Sequence, residues 1–188
     1  MEIQYIGENL IWGYAGRFAI FLAFFSSIFA AYSYYRASYT NRIDYRQWRS
    51  RGRKAFRLHS LMTIVASLVL LYILLSRFYE YRYVWIHMEN DLPLGYKIAS
   101  FWAGQEGSLL FWALSQAIIG LFVMRFSRQW EINVMTVFAA SQVFMMSMLL
   151  GIRFQGISIG MDPFLLLRLA PENIDNHFFH NPEYLSLI

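Results

Sequence analysis

A four-span, all-α membrane protein is the fold class this sequence predicts, on three observations. Apolar residues make up 57% of the chain, and they come in blocks, not in the scattered period of a soluble core. Four of these blocks run for roughly 20 residues or more, enough to cross ~30 Å of hydrocarbon at ~1.5 Å per residue. The basic residues gather between the blocks in alternate connections, as a multi-pass chain requires. Only helices and closed barrels satisfy their backbone in lipid, and continuous runs of this length are helical; barrel strands would alternate over ~10 residues.

Residues 1–10 form a short N-terminal stretch with Glu2 and Glu8 and no Lys or Arg. With no positive n-region, the apolar run that follows reads as a retained span, not a signal peptide. Span one covers 11–35. A connection over 36–57 carries Arg36, Arg42, Arg46, Arg49, Arg51, Arg53, Lys54 and Arg57 against Asp44 alone. Span two covers 58–78, and a second connection over 79–101 mixes Arg82 and Lys97 with Glu80, Glu89 and Asp91. Span three covers 102–124, and a short turn with Arg125 and Arg128 leads to span four at 132–152. A polar tail over 153–188 contains the breakers Asp162-Pro163 and Asn181-Pro182. The positive-inside rule puts the first and third connections in the cytoplasm and both termini outside, as in a bacterial inner membrane. Half of the 16 basic residues lie between Arg36 and Arg57, so the net charge of +4 belongs to one connection. It reads as a topology determinant at the inner surface, the alternative being binding of nucleic acid or anionic lipid; no nucleic-acid motif accompanies it.

Small and weakly polar residues recur at helical spacing. Span one carries Gly13, Gly16, Ala23, Ser27 and Ala30. Span three carries Trp102, Glu106, Ala113, Gln116 and Gly120, and span four Asn133, Thr136, Ala140, Ser147 and Gly151. Such stripes let helices approach closely and hydrogen-bond in lipid. They predict a packed bundle and demand no cofactor.

The chain has no cysteine, which excludes disulfides, thiolate metal sites and thiol catalysis within it. It also has no phosphate-cradling glycine loop, no triad and no HExxH or CxxCH motif, so no catalytic residue is assigned. Of the four histidines, His177 and His180 stand at i, i+3 but lack a third ligand, and no metal site is assigned. His59 is placed at the inner mouth of span two. His87 lies in an interfacial cluster with Tyr83, Trp85 and Met88. Met145, Met146 and Met148 read as apolar filler.

The segment Trp102-Ala-Gly-Gln-Glu-Gly-Ser-Leu-Leu-Phe-Trp112 sets a carboxylate at the mouth of a span, where charge is costly and usually has a task. Arg17 lies one turn inside span one, at similar depth. An intramembrane Arg17–Glu106 ion pair, or a network with Gln116, is the expectation. Against it stand snorkelling of Arg17 and stabilisation of a helix N-terminus by Glu106. Gly104 and Gly107 allow close approach of a backbone or a bound group.

The order Leu92-Pro93, Tyr96, Lys97, Trp102, Glu106-Gly107-Ser108-Leu109-Leu110 and Trp112, followed by Asp162-Pro163-Phe164 after span four, resembles the N-terminal part of the CcmF family. CcmF is a cytochrome c maturation protein among the haem-handling proteins. The resemblance implies a partial, N-terminal helix bundle: a fragment, a truncated product or one piece of a split protein. It implies the family motif Trp102, Gly104, Glu106, Gly107, Ser108 and Trp112, and a haem-proximal outer loop with His87, Pro93 and Tyr96. Haem b belongs to the full family protein, whose Trp-rich haem platform has no counterpart here. The implied partners are the remainder of the CcmF-like protein, a haem carrier protein, other maturation components and apocytochrome c. The alternative is a small subunit of a quinone-linked or proton-translocating complex, with Glu106 in a proton path.

Overall fold

The structure is a computed structural model and describes residues 9–40, 42–154 and 157–169. The N-terminal residues 1–8 and the tail from 170, including His177, His180 and Asn181-Pro182, lie outside the described residues. Six α-helices dominate: α1 (Leu10–Tyr39), α2 (Arg42–Leu75), α3 (Arg82–His87), α4 (Leu94–Ala99), α5 (Gln105–Phe126) and α6 (Glu131–Met148). A two-stranded antiparallel hairpin follows, β1 (Ile152–Phe154) with β2 (Ile157–Ile159), pairing Ile152 with Ile159.

The four long helices close a ring. α1 packs on α2 and α6, and α5 packs on α2 and α6, so α1 and α5 stand diagonally across the bundle. The stripe on α1 is the buried one, with Gly13, Gly16, Ala23, Ser27 and Ala30 all inside. On α6 the expected stripe is wrong. Asn133 and Ala140 are exposed, and Ile132, Met135, Ala139, Gln142 and Met146 face inward. Small size is a weak guide to the inner face when flexible methionines fill the core: Met135 and Met146 are wholly buried.

Two apolar clusters stack along the bundle. One gathers Ile20, Leu70, Ile73, Tyr81, Leu110, Met146 and Phe164 near the far end. The other gathers Tyr34, Phe56, Met124, Ile132 and Met135 near the basic end. His59, midway along the 34 residues of α2, is fully buried, with Nδ1 3.0 Å from the Ala23 carbonyl.

Among the described residues, α1, α2 and α5 are long and apolar enough to cross a membrane. α6 has 18 residues, about 27 Å at ~1.5 Å each, but Glu131, Asn133 and Gln142 lower its hydropathy and it is not among them. α2, with 34 residues, is about 51 Å long. Its surplus over the hydrocarbon thickness is the basic segment, which is helical where a loop was expected. The helix stops at Leu75, and Arg77 just beyond it takes φ +57° while the Phe78 N–H reaches the Ile73 carbonyl at 3.2 Å. That is a left-handed helix stop made without glycine. Between 79 and 101 the expected outer loop contains α3 and α4.

Candidate functional site

The Trp102–Trp112 segment folds as a staple around one phenol. Tyr83, on α3, is buried, and its hydroxyl lies 3.1 Å from the Ser100 carbonyl and 3.0 Å from the Phe101 carbonyl. The Gly104 N–H donates to the same oxygen at 3.1 Å. Burial pushes the Tyr83 phenol up to about 12; the Gly104 hydrogen bond acts against that and the nearby Glu106 charge acts with it. The phenol therefore stays protonated across physiological pH, so it can keep donating to a carbonyl.

Two glycines make room for this arrangement. A Cβ at Gly104 would meet His87 Cε1 at 2.7 Å and Tyr83 Cε2 at 2.8 Å. A Cβ at Gly107 would run into the Phe101 carbonyl oxygen and the Tyr83 hydroxyl. Both glycines thus serve close approach, and what approaches is this chain's own Tyr83. Ser108 Oγ donates to the Trp102 carbonyl at 2.7 Å and the Ser108 N–H to the Gly104 carbonyl at 2.9 Å, which closes the first turn of α5. α5 starts at Gln105, so Trp102 and Gly104 precede the helix. Trp102 and Trp112 point outward, 46% and 60% exposed, and Trp102 tilts against Phe111 at 5.6 Å.

Glu106 does not meet Arg17. Its partner is Arg82 at 3.4 Å, both side chains largely buried. Arg17 pairs with Asp162 at 2.6 Å and donates from Nη2 to the Phe164 carbonyl at 3.2 Å. Gln116 joins neither of them; its amide reaches Ser141 at 2.5 Å. The expected pair fails on azimuth. α1 and α5 are diagonal, and each charge finds a partner on the chain beside it. The sequence marks Asp162 as a breaker before Pro163 and gives no sign of its charge partner. In the structure, the segment after β2 docks across the bundle end. Phe164 is wholly buried against Gly16, Leu166 bridges to Tyr81, and the Arg82 N–H bonds to the Leu165 carbonyl at 2.9 Å.

The expected outer-loop residues are only partly united. His87 stacks on Tyr83 with ring centroids 4.5 Å apart, and its Nδ1 lies 2.9 Å from the Tyr83 carbonyl. The Ser100 hydroxyl ties the His87 carbonyl to the turn at 2.9 Å. Pro93 caps α4, and Tyr96 projects from that helix 67% exposed.

The two described histidines differ in access: His87 is half-buried and His59 fully buried. The Nε2 edge of His87 lies against Gly104, and His59 is enclosed between α1 and α2 with no exposed surface. Among the described residues no group of three or more His, Asp or Glu side chains could hold a metal.

A second polar cluster, at the basic end, was not expected. Glu131, in the first turn of α6, is 1% exposed. It receives Arg53 through Nε and Nη2, both at 2.6 Å, and Arg49 through Nε at 3.0 Å and through Nη2. Arg53 also donates to the Met124 carbonyl at 3.2 Å. Burial disfavours the Glu131 charge, but the hydrogen bonds from Arg53 and Arg49 outweigh it and hold the carboxyl below its ordinary range. The available signal was the shortage of acids near so many cations.

No family model matches the chain, and no curated protein matches it. Among solved structures, the chain is similar to a cytochrome c haem lyase, CcmF, with a TM-score of 0.67 and 22% sequence identity. The match covers 83% of this chain and 26% of that one, so the chain spans about a quarter of that protein's length. The resemblance read from the motif residues thus holds at the level of the fold.

Proposed function

We propose that this chain is a membrane component of cytochrome c maturation. It acts as a scaffold for haem transport and for covalent haem attachment to apocytochrome c at the outer face of a bacterial inner membrane. The observation that carries the reading is the CcmF-like fold over 83% of the chain, joined to a motif segment folded as a rigid staple. α6 is the fourth span in this reading, both termini lie outside, and the basic end of α2 faces the cytoplasm. The staple of Tyr83, Gly104 and Gly107 holds the outer surface formed by His87, Pro93 and Tyr96, with Trp102 and Trp112 turned toward neighbours.

Haem b belongs to the complete assembly. In this reading its ligands come from the remainder of the assembly, and His59, fully buried, stays closed to it. The partners are the remainder of a CcmF-like protein, a haem carrier protein and apocytochrome c. The chain performs no chemistry alone; Glu106, matched by Arg82, stabilises the start of α5.

The test is the haem content of the chain purified in detergent, alone and co-expressed with the remainder of a CcmF-like protein, read by pyridine haemochrome. Haem in the co-expressed sample alone, together with restored thioether-linked cytochrome c, is the expected result. Stoichiometric haem on the chain by itself would overturn the scaffold assignment. Haem in neither sample would overturn the maturation reading.

A further inference from the structure

The basic end carries ten cations, eight from Arg36 to Arg57 together with Arg125 and Arg128, and only two acids, Asp44 and Glu131. Glu131 is already saturated by Arg49 and Arg53. Arg51 and Lys54 have no carboxylate within ion-pair reach among the described residues. Both stand at the rim of a cleft of about 420 Å³ between α1 and α2. Its walls are Phe25, Phe29 and Leu58, its floor includes Ser26, and its lining is overwhelmingly apolar.

Two features make this more than a charged helix face. Ser26 turns its hydroxyl back to the Leu22 carbonyl at 2.6 Å, so the floor presents no free polar group to an apolar chain. Arg51 is positioned, with its guanidinium 4.8 Å from the Trp48 ring centre, while Tyr32 abuts the same indole edge-on at 5.7 Å. The cleft thus offers an apolar slot that opens onto two cations without a carboxylate partner, where the basic half of α2 meets its apolar half.

We propose that this cleft binds an acidic glycerophospholipid, with an acyl chain between Phe25, Phe29 and Leu58 and the phosphate on Arg51 and Lys54. Charge complementarity selects the occupant. A zwitterionic lipid brings a cation of its own to this rim, whereas an acidic headgroup leaves its negative charge free for both side chains. The proposal rests on the membrane reading of α1 and α2 and not on the maturation reading, so either can fail without the other.

The experiment is native mass spectrometry of the full chain released from detergent, with palmitoyl-oleoyl phosphatidylglycerol, palmitoyl-oleoyl phosphatidylcholine or sodium phosphate added. The expected result is a retained phosphatidylglycerol adduct, favoured over phosphatidylcholine by roughly tenfold. Arg51→Gln with Lys54→Gln removes the preference. Phe29→Ala, at a half-exposed wall, weakens retention severalfold, and Arg46→Gln, on an exposed position outside the cleft, leaves it unchanged. Circular dichroism melting verifies that each variant is folded.

Equal retention of the two lipids would overturn the proposal, as would a loss with Arg46→Gln equal to that of the double variant, which would mark diffuse attraction. Retention of inorganic phosphate on the same cations, with Phe29→Ala silent, would make this a soluble-anion site and overturn the acyl assignment. A dimer mass that Phe29→Ala abolishes would give the cleft to a second copy.

Discussion

Glu131 shows how a single buried charge organises one end of this protein. It is almost completely enclosed, yet its two arginine partners keep 30% and 35% of their side-chain surface. Removing the carboxylate would leave Arg53 and Arg49 pointing at a neutral amide in a water-poor site. Glu131→Gln is expected to lower the unfolding free energy by about 2–4 kcal/mol, the partial exposure of the arginines keeping it below the full cost of a stranded buried charge. The pH dependence follows from the depressed carboxyl pKa. The unfolded carboxyl binds its proton near pH ~4.3, and the folded one binds it lower. The stabilisation is therefore complete above the unfolded value and is lost as pH falls through the folded value. Denaturant unfolding in detergent of the two proteins should give a constant gap from about pH 5 to 8 that narrows only below about pH 4. A gap already closing at pH 6 would contradict the assigned charge state. Little of this was legible in the sequence, because hydropathy weighs an acid at a helix start only as a boundary. The Arg17–Glu106 expectation failed for a related reason: spacing reports depth in the bilayer but not the direction a side chain faces around its helix.

Among the elements, the long helices were legible because their signal is local. A run of apolar residues needs no partner to be recognised, and the α1 stripe is buried because its small residues set the distance to α2 and α6. The basic segment was read as a loop because hydropathy sees only the apolar half of α2. Arginine and lysine are good helix formers, and with no proline between 36 and 57 the helix continues past the hydrocarbon. The segment Asp162–Leu166 stood out as a breaker and a motif element, but its docking was not legible because its partners lie across the fold. It closes the far end of the bundle through Arg17, Gly16, Tyr81 and Arg82. A double-mutant cycle of Arg17→Gln and Asp162→Asn should return a coupling of about 1–2 kcal/mol, since the pair is partly buried and hydrogen-bonded. The cycle Arg17→Gln with Glu106→Gln should be additive within ~0.5 kcal/mol. Coupling in the second cycle and not the first would reverse the pairing seen here.

Over the whole molecule, the geometry divides the connections between two ends. The turn from α1 to α2 and the turn from α5 to α6 share the end that carries Glu131 and its arginines. The α2–α5 connection and the segment after β2 share the other, joined by the Tyr81–Leu166 bridge and the Arg17–Asp162 pair. α6 therefore runs the length of the bundle beside α1 and α5, although its 18 residues carry Glu131, Asn133 and Gln142 and include no stretch as apolar as those of the other three. Packing covers part of that polarity: Glu131 is neutralised, and Gln142 is wholly buried and donates to the Ala113 carbonyl at 2.9 Å. A span can hold such residues when the bundle satisfies them. The absence of native cysteine makes the arrangement measurable, since each introduced thiol is the sole target of a maleimide. Ser50→Cys, Glu89→Cys, Gln129→Cys and Met161→Cys all place the thiol at exposed positions. With a membrane-impermeant maleimide on intact spheroplasts, Glu89→Cys and Met161→Cys should label directly. Ser50→Cys and Gln129→Cys should label only after permeabilisation, as the positive-inside asymmetry requires. Labelling of Met161→Cys together with Gln129→Cys, and not with Glu89→Cys, would mean that α6 does not cross. The bundle end closed by Asp162 and Phe164 would then have to come apart in the membrane. The opposite labelling of both pairs would keep the fold and invert its orientation.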